Sequence, residues 1–209
     1  MGTNRSNVIE KTSTPQSAAS PAAPMRRRLL DGLAQSIREK GLQQTQVSDI
    51  VRNARTSKRS FYECFASKEA CLADLADDWA ETLRRAVATE VDRTAPWDEQ
   101  IDAAVDAFLA AVARDPALSM TIPRELVLLG GQYSEVWEKD TEFYCAFYME
   151  LSRGPMMASA GVEPLSWERA VILVGGLTEL INRVLRAGGS LEGAGDAMKE
   201  SMKRLIGPR

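Results

Sequence analysis

The chain has 209 residues, 44% of them hydrophobic, enough for a substantial core and for two cooperating domains. It contains no His, which removes the commonest general base, the usual Ser and Cys triads and the commonest zinc ligand. Its net charge of −3 is uneven: residues 24–70 carry ten Lys/Arg against five Asp/Glu, and residues 71–209 fourteen against twenty-three.

A basic head is therefore joined to an acidic body. Phosphate attraction is local, within a Debye length of about 8 Å at physiological salt, so the head decides whether nucleic acid binds. Cys64, Cys71 and Cys145 lack C-x-x-C spacing, so neither a disulfide framework nor a metal site is expected, and a reducing cytoplasm fits. No apolar run has the length of about 18 residues that a membrane helix needs. Helix formers dominate and strand-like alternation is missing, so the expected fold is all-α.

Residues 1–23 are rich in Ser, Thr, Pro and Ala and show no periodicity; they read as a disordered leader without the apolar stretch of a secretory signal. A first helix follows Pro24, with Leu30, Leu33, Ala34 and Ile37 on one face and Gly41 as its C-cap. Arg26, Arg27 and Arg28 open it, either as a solvated charge run or as an arm on a DNA backbone or minor groove. Thr45 is placed to cap the second helix, where Val47, Ile50, Val51 and Ala54 recur at i, i+3, i+4 and i+7. Arg55-Thr56 breaks that pattern, and Ser57-Lys58-Arg59-Ser60 opens a third helix anchored inward by Phe61 and Phe65.

That arrangement leaves Ser57, Lys58, Arg59, Ser60 and Tyr62 pointing outward, a surface suited to a DNA major groove. Arg59 is the expected base reader, because its fork matches guanine O6 and N7, with Lys58 beside it. Ser57, Ser60 and Tyr62 are expected on phosphates. Thr45 and Lys68, at helix N-termini, are expected there too.

Ser67 caps a long fourth helix carrying Leu72, Leu75, Trp79, Leu83 and Val87, extending to about Asp92 before Thr94-Ala95-Pro96. Asp98 and Glu99 begin another amphipathic helix, with Ile101, Val105, Phe108 and Val112, ending at Asp115-Pro116. A shorter one covers 117–129 and is expected to kink or restart at Pro123. Gly130-Gly131 breaks the chain before a helix over about 133–153, which Gly154-Pro155 and Gly161 punctuate. Tyr133, Trp137, Phe143, Tyr144, Phe147 and Tyr148 place six of thirteen aromatic residues in this stretch. With Met120, Met149, Met156 and Met157 nearby, they could line an adaptable apolar pocket; ordinary core is the plain reading of any one of them.

Residues 166–186 are apolar on more than one face (Ala170, Val171, Leu173, Val174, Leu177, Leu180, Ile181, Val184, Leu185) and include Gly175-Gly176. Gly188-Gly189 ends that helix, and a last one carries Leu191, Ala194, Met198, Met202, Leu205 and Ile206. A helix buried on two faces can pack on its own body and on a second subunit; the other reading is a central helix of a monomeric bundle.

The segment from Thr45 onward resembles the helix-turn-helix of the TetR (tetracycline-repressor-like) family of transcriptional regulators. The family phrase runs roughly Thr, a short apolar helix, then Ala-Gly-Val-Ser-x-x-x-Leu-Tyr-x-x-Phe-x-Ser-Lys-Glu-x-Leu. Here Thr45, Val47, Ile50, Ala54, Ser57, Phe61, Tyr62, Phe65, Ser67, Lys68, Glu69 and Leu72 stand in matching order. The run Tyr62 to Glu69 is the most specific part. Arg55 occupies the turn position where the family has Gly; either the turn is shaped differently or Arg55 itself reaches a phosphate.

The resemblance implies a leader (1–23), a helix-turn-helix DNA-binding domain (24–70) and an effector-binding and dimerisation domain (71–209). It implies a homodimer through the last two helices, and a repressor released from a pseudo-palindromic double-stranded operator by a small apolar or aromatic effector. Candidate effector contacts are Met120, Arg124, Trp137, Tyr144, Phe147 and Tyr148, with Tyr144 or Tyr148 giving a hydrogen bond and Arg124 meeting an acidic group. The alternatives are a regulator of the same fold that needs its ligand or has none, and a helix-turn-helix that docks a protein. An enzyme is the weak reading: no P-loop and no G-x-G-x-x-G after a strand is present, and no cofactor, metal or membrane is expected.

Overall fold

The computed structural model describes residues 22–129, 134–187 and 191–208, without the side chains of 22, 126–129, 134–137, 185–186 and 192. Among them all regular structure is helical: α1 Ala22–Gln44, α2 Val47–Asn53, α3 Lys58–Cys64, α4 Lys68–Glu90, α5 Trp97–Ala113, α6 Pro116–Leu129, α7 Ser134–Leu151, α8 Pro155–Ser159, α9 Trp167–Arg186 and α10 Glu192–Ile206. The expected all-α class is observed. The leader (apart from its last residues), Tyr133, Gly130-Gly131 and Gly188-Gly189 lie outside the described residues.

In the head, α1 crosses α2 closely. A Cβ on Gly32 would lie 2.6 Å from the Ile50 carbonyl oxygen, so any larger residue would push the two helices apart. Gly41 bends α1 at φ 76, ψ 162, a region essentially confined to glycine; the chain then makes one more turn to Gln44. Leu29, Leu33, Ile37, Ile50, Phe61 and Phe65 close the core between these helices and α3. Burying each such side chain stabilises the head by roughly 1.5–3 kcal/mol relative to exposure.

Thr45 does not cap α2. The N-cap is Gln46, whose backbone N–H donates to the Asp49 carboxylate at 2.9 Å, while Thr45 Oγ1 donates back to the Gly41 carbonyl at 2.8 Å. The bend at Gly41 turns the Thr45 hydroxyl toward the helix it leaves rather than the one that follows. Ser57 and Ser67 do cap α3 and α4, accepting from the backbone N–H groups of Ser60 and Ala70.

With 23 residues, α4 is roughly 34 Å long at 1.5 Å per residue. Its first half (Cys71, Leu72, Leu75, Ala76, Ala80) is buried in the head core. Val87 belongs to the body core with Ile101, Val105, Leu151, Met157, Leu173 and Met202, and Leu83 packs with Ala111 and Val112. The head core also takes Leu118 and Ile122 from α6, so it extends past residue 70. Arg38 Nη2 donates to Asp115 at 2.6 Å and Gln43 Nε2 to Glu125 at 3.0 Å, fastening α6 and the residue before it to α1. Pro123 does not restart this helix, which runs unbroken to Leu129.

Arg26, Arg27 and Arg28 each find partners within the protomer, with Arg27 and Arg28 still exposed. Arg26 pairs with Asp74, donates to the Cys64 carbonyl at 2.9 Å and stacks over the Phe65 ring at 4.3 Å. Arg27 pairs with Asp78 at 2.8 Å, and Arg28 donates to the Ala54 and Arg55 carbonyls at 2.6 and 2.7 Å. Acidic residues on α4 and bare carbonyls at the α2–α3 turn meet all three guanidinium groups. The short α8 between Gly154 and Gly161 was not separated by sequence periodicity, and no described helix is long and apolar enough to cross a membrane.

Candidate nucleic-acid interface and effector cavity

The turn between α2 and α3 holds Arg55 at φ 51, the only non-glycine residue with positive φ among those described. The chain adopts the left-handed turn there with an Arg, and Arg28 holds the carbonyls on either side of the Ala54–Arg55 step. This turn fixes the angle at which α3 leaves α2. Phe61 is fully buried, its ring 5.7 Å from Phe65, and that anchor sets which side of α3 faces solvent.

On that solvent side stand Ser57, Lys58 and Arg59, with Tyr62 58% exposed and edge-on to Phe61 at 5.3 Å. The Arg59 side chain is 88% exposed and donates Nε to Glu63 at 2.9 Å, one turn along the same helix. Ser57 and Ser60 share a hydrogen bond at 3.0 Å between their hydroxyls, leaving lone pairs and α3's first turn open. Arg52 and Arg55 extend the cationic edge back across the turn. Short hydroxyls, two cations and an exposed phenol at the start of a helix can contact base edges and phosphates together.

Two expected contacts are committed elsewhere. Thr45 is 2% exposed, its N–H donating to Leu42 and its hydroxyl to Gly41, so it has no donor left for a phosphate. Lys68 Nζ donates to the carbonyls of Leu42 and Thr45 at 3.2 and 3.0 Å, tying the start of α4 to the segment before α2.

In the body, two small cavities of about 90 and 50 Å³ adjoin and share Phe108, Tyr144, Val174, Thr178 and Ile181 as walls. The larger also touches Trp79 and Leu83 of α4, Pro123 of α6 and Asp140 of α7. Tyr144 Oη is buried there without a hydrogen-bond partner. Burial, and then the Asp140 charge, push the Tyr144 phenol well above its ordinary range, so it stays a neutral O–H. Burial likewise pushes the Asp140 carboxyl up, opposed by its ion pair with Arg84, which also donates Nη2 to Glu81 at 3.0 Å.

Of the six expected effector contacts, Tyr144 and Tyr148 line this space. Phe147 does not: its ring stacks on Phe143 at 6.3 Å, and Arg93 covers it at 5.1 Å. Met120 and Arg124 do not either. Leu118 and Ile122 face the head core, which turns Met120 toward solvent, and the exposed Arg124 pairs with Glu125 at 2.9 Å. The Trp137 side chain lies outside the described residues.

Residues 29–75 match the family model for bacterial regulatory proteins of the tetR family. The head is thus similar to the tetR family over residues 29–75. Solved TetR-like structures share the fold at low identity. FadR from Bacillus subtilis, solved in complex with stearoyl-CoA, aligns at 17% identity over 88% of this chain and 98% of its own, with a TM-score of 0.69. Escherichia coli NemR in its reduced form aligns at 15% identity over 88% and 99%, TM-score 0.66, and a TetR-like transcriptional regulator from a Rhodococcus species at 18% over 88% and 96%, TM-score 0.62. No curated protein sequence matches.

The chain thus shares its fold with these solved structures, and its head matches the tetR-family model. Its Arg28 clamp had no local sequence signal, because a basic run at a helix start reads the same whether its partners are carbonyls or solvent. The α9 contribution to the cavity did have one. Thr178 interrupts an otherwise apolar face between Val174 and Ile181 and lines both cavities.

Proposed function

We propose that this protein is a homodimeric transcriptional repressor that sets α3 in the major groove at each half of a pseudo-palindromic operator, and that a small apolar effector in the body releases it. The observation that carries the reading is the exposed Lys58-Arg59 surface seated on the buried Phe61–Phe65 anchor of a TetR-family head. Arg59 and Lys58 read base edges, while Ser57, Ser60, Tyr62 and Arg55 hold phosphates. Thr45 and Lys68 support the fold of the head instead.

The second subunit docks on α9 and α10. Ile172 is 67% exposed, and Gly175 and Gly176 on the same helix face open space, so nothing inside the protomer calls for them. Glycines on an exposed apolar face let another helix approach closely. FadR was solved with stearoyl-CoA, but cavities of about 90 and 50 Å³ are too small for a long acyl chain and favour a compact effector.

Sedimentation of the protein alone and with a bound duplex tests the assembly. Two protomers are expected per duplex, and Ile172→Glu is expected to give monomers with duplex affinity lowered at least about tenfold. A dimer unchanged by Ile172→Glu would place the interface elsewhere. Binding that strengthens on adding effector would favour the co-repressor reading.

A further inference from the structure

We propose that the cavity beside Tyr144 takes a small uncharged molecule with an apolar body and one hydrogen-bond-accepting oxygen, which Tyr144 Oη binds as the donor. This deepens, and rests on, the reading of the body as an effector domain.

The first ground is the orphaned hydroxyl. Buried polar groups in folded proteins are almost always hydrogen-bonded, and an unmatched one is costly. Tyr144 Oη is buried, has no partner, and belongs to a residue that lines both cavities. Its neutral phenol, maintained by burial and by Asp140, offers one proton to an acceptor.

The second ground is charge. Asp140 lines the same cavity and is ion-paired with Arg84. An anionic ligand would meet the carboxylate on its own wall. A cationic one would have to compete with a guanidinium already in place on that carboxylate. The pair therefore disfavours both signs. Phe108, Val174 and Ile181 supply apolar walls for the rest of the molecule. The size is also bounded: an engineered apolar cavity of about 150 Å³ admits benzene, so the two adjoining spaces suit a body of about one ring.

The test uses the full chain and four probes built on one six-membered carbon ring: cyclohexanone, methylenecyclohexane, cyclohexanecarboxylate and cyclohexylammonium. Calorimetry gives the affinities, and the change in tryptophan fluorescence that is lost in Trp79→Phe, at the wall of the larger cavity, reports occupancy. Cyclohexanone is expected to bind about tenfold tighter than methylenecyclohexane, with the two ions weaker than either. Tyr144→Phe is expected to keep its melting temperature, since no bond is lost, and to reduce that preference to below about twofold.

Equal binding of ketone and hydrocarbon would overturn the proposal while leaving the cavity as an effector site. Tightest binding of either ion would overturn it as well, as would a preference that survives in Tyr144→Phe. Binding of none of the four would overturn both this proposal and the effector reading; duplex binding by the same preparation would still stand as a separate measure of the regulator.

Discussion

Arg28 Nη2 donates to the carbonyl of Arg55 at 2.7 Å, and Arg55 is the described non-glycine residue that takes positive φ. The two belong together physically. The left-handed step at Arg55 leaves the turn's carbonyls pointing back toward α1, and the guanidinium one helix away collects two of them. A turn that glycine would form without strain is here held by a long cation from a neighbouring helix, and α3 is aimed by that bond.

Arg55→Gly is accordingly expected to stabilise the head, because a non-glycine residue in the left-handed region costs about 1–2 kcal/mol and glycine's extra unfolded-state freedom offsets only part of it. Arg28→Met is expected to destabilise it by about 1–2 kcal/mol through two lost charge-assisted bonds at a partly exposed site. Urea unfolding of both variants checks the signs. In the same proteins, a salt slope of duplex binding that falls by about 0.9 for Arg55→Gly would show that Arg55 also contacts a phosphate.

In the proposed interface, DNA competes with Glu63 for the Arg59 guanidinium. Arg59→Ala is expected to relax sequence preference by roughly 1–3 kcal/mol at one base pair per half-site, leaving binding to unrelated duplexes little changed. Glu63→Gln frees the guanidinium and removes an anion facing phosphate, so it is expected to raise affinity for every duplex by a few-fold, about threefold. Competition binding with one-base variants measures both. Equal losses on all sequences for Arg59→Ala would remove its base-reading role.

Lys68→Met is expected to lower the melting temperature of the head, since its ammonium bridges two carbonyls ahead of α2. The number of phosphates neutralised is expected to stay the same, so the salt slope of duplex binding should not change. A slope reduced by about one would return Lys68 to the DNA surface.

Asp49 supplies a pH dependence. The Lys40 hydrogen bond, then the Gln46 N–H, hold its carboxyl below the ordinary value of 3.8. A depressed carboxylate contributes stability that is fully present above the unfolded value and is lost as pH falls through the lower native one. Stability measured from pH 6 downward should therefore fall less steeply in the acid range for Asp49→Asn than for the parent. Identical acid limbs would mean the Lys40–Asp49 pair is immaterial to folding.

Much of this was legible in the chain itself, for a specific reason. The positions that form helix and core are local in sequence: Phe61 and Phe65 at i, i+4, or Ser67 ahead of its helix, follow from periodicity and capping. What failed to show was every contact made across the fold. Thr45 looked like a cap because nothing local reveals that Gly41 bends and reclaims its hydroxyl. Arg26 to Arg28 looked free because Asp74, Asp78 and the Arg55 carbonyl lie 27 to 51 residues away. Around the body cavities, aromatic density pointed to α7, and Tyr144 and Tyr148 line one of them. Phe147, Met120 and Arg124 face other ways, because which side of a helix points inward depends on partners such as α9 that density does not name.

The most direct measurement is selection from randomised duplex DNA with the full chain, read at two salt concentrations. A dimeric reader built on α3 predicts enrichment of a pseudo-palindrome whose half-sites lie about one helical turn apart, with affinity falling steeply as salt rises and the enriched preference weakened by Arg59→Ala. Failure to enrich any sequence at low salt, or affinity indifferent to salt, would contradict it and point to a protein partner on this surface.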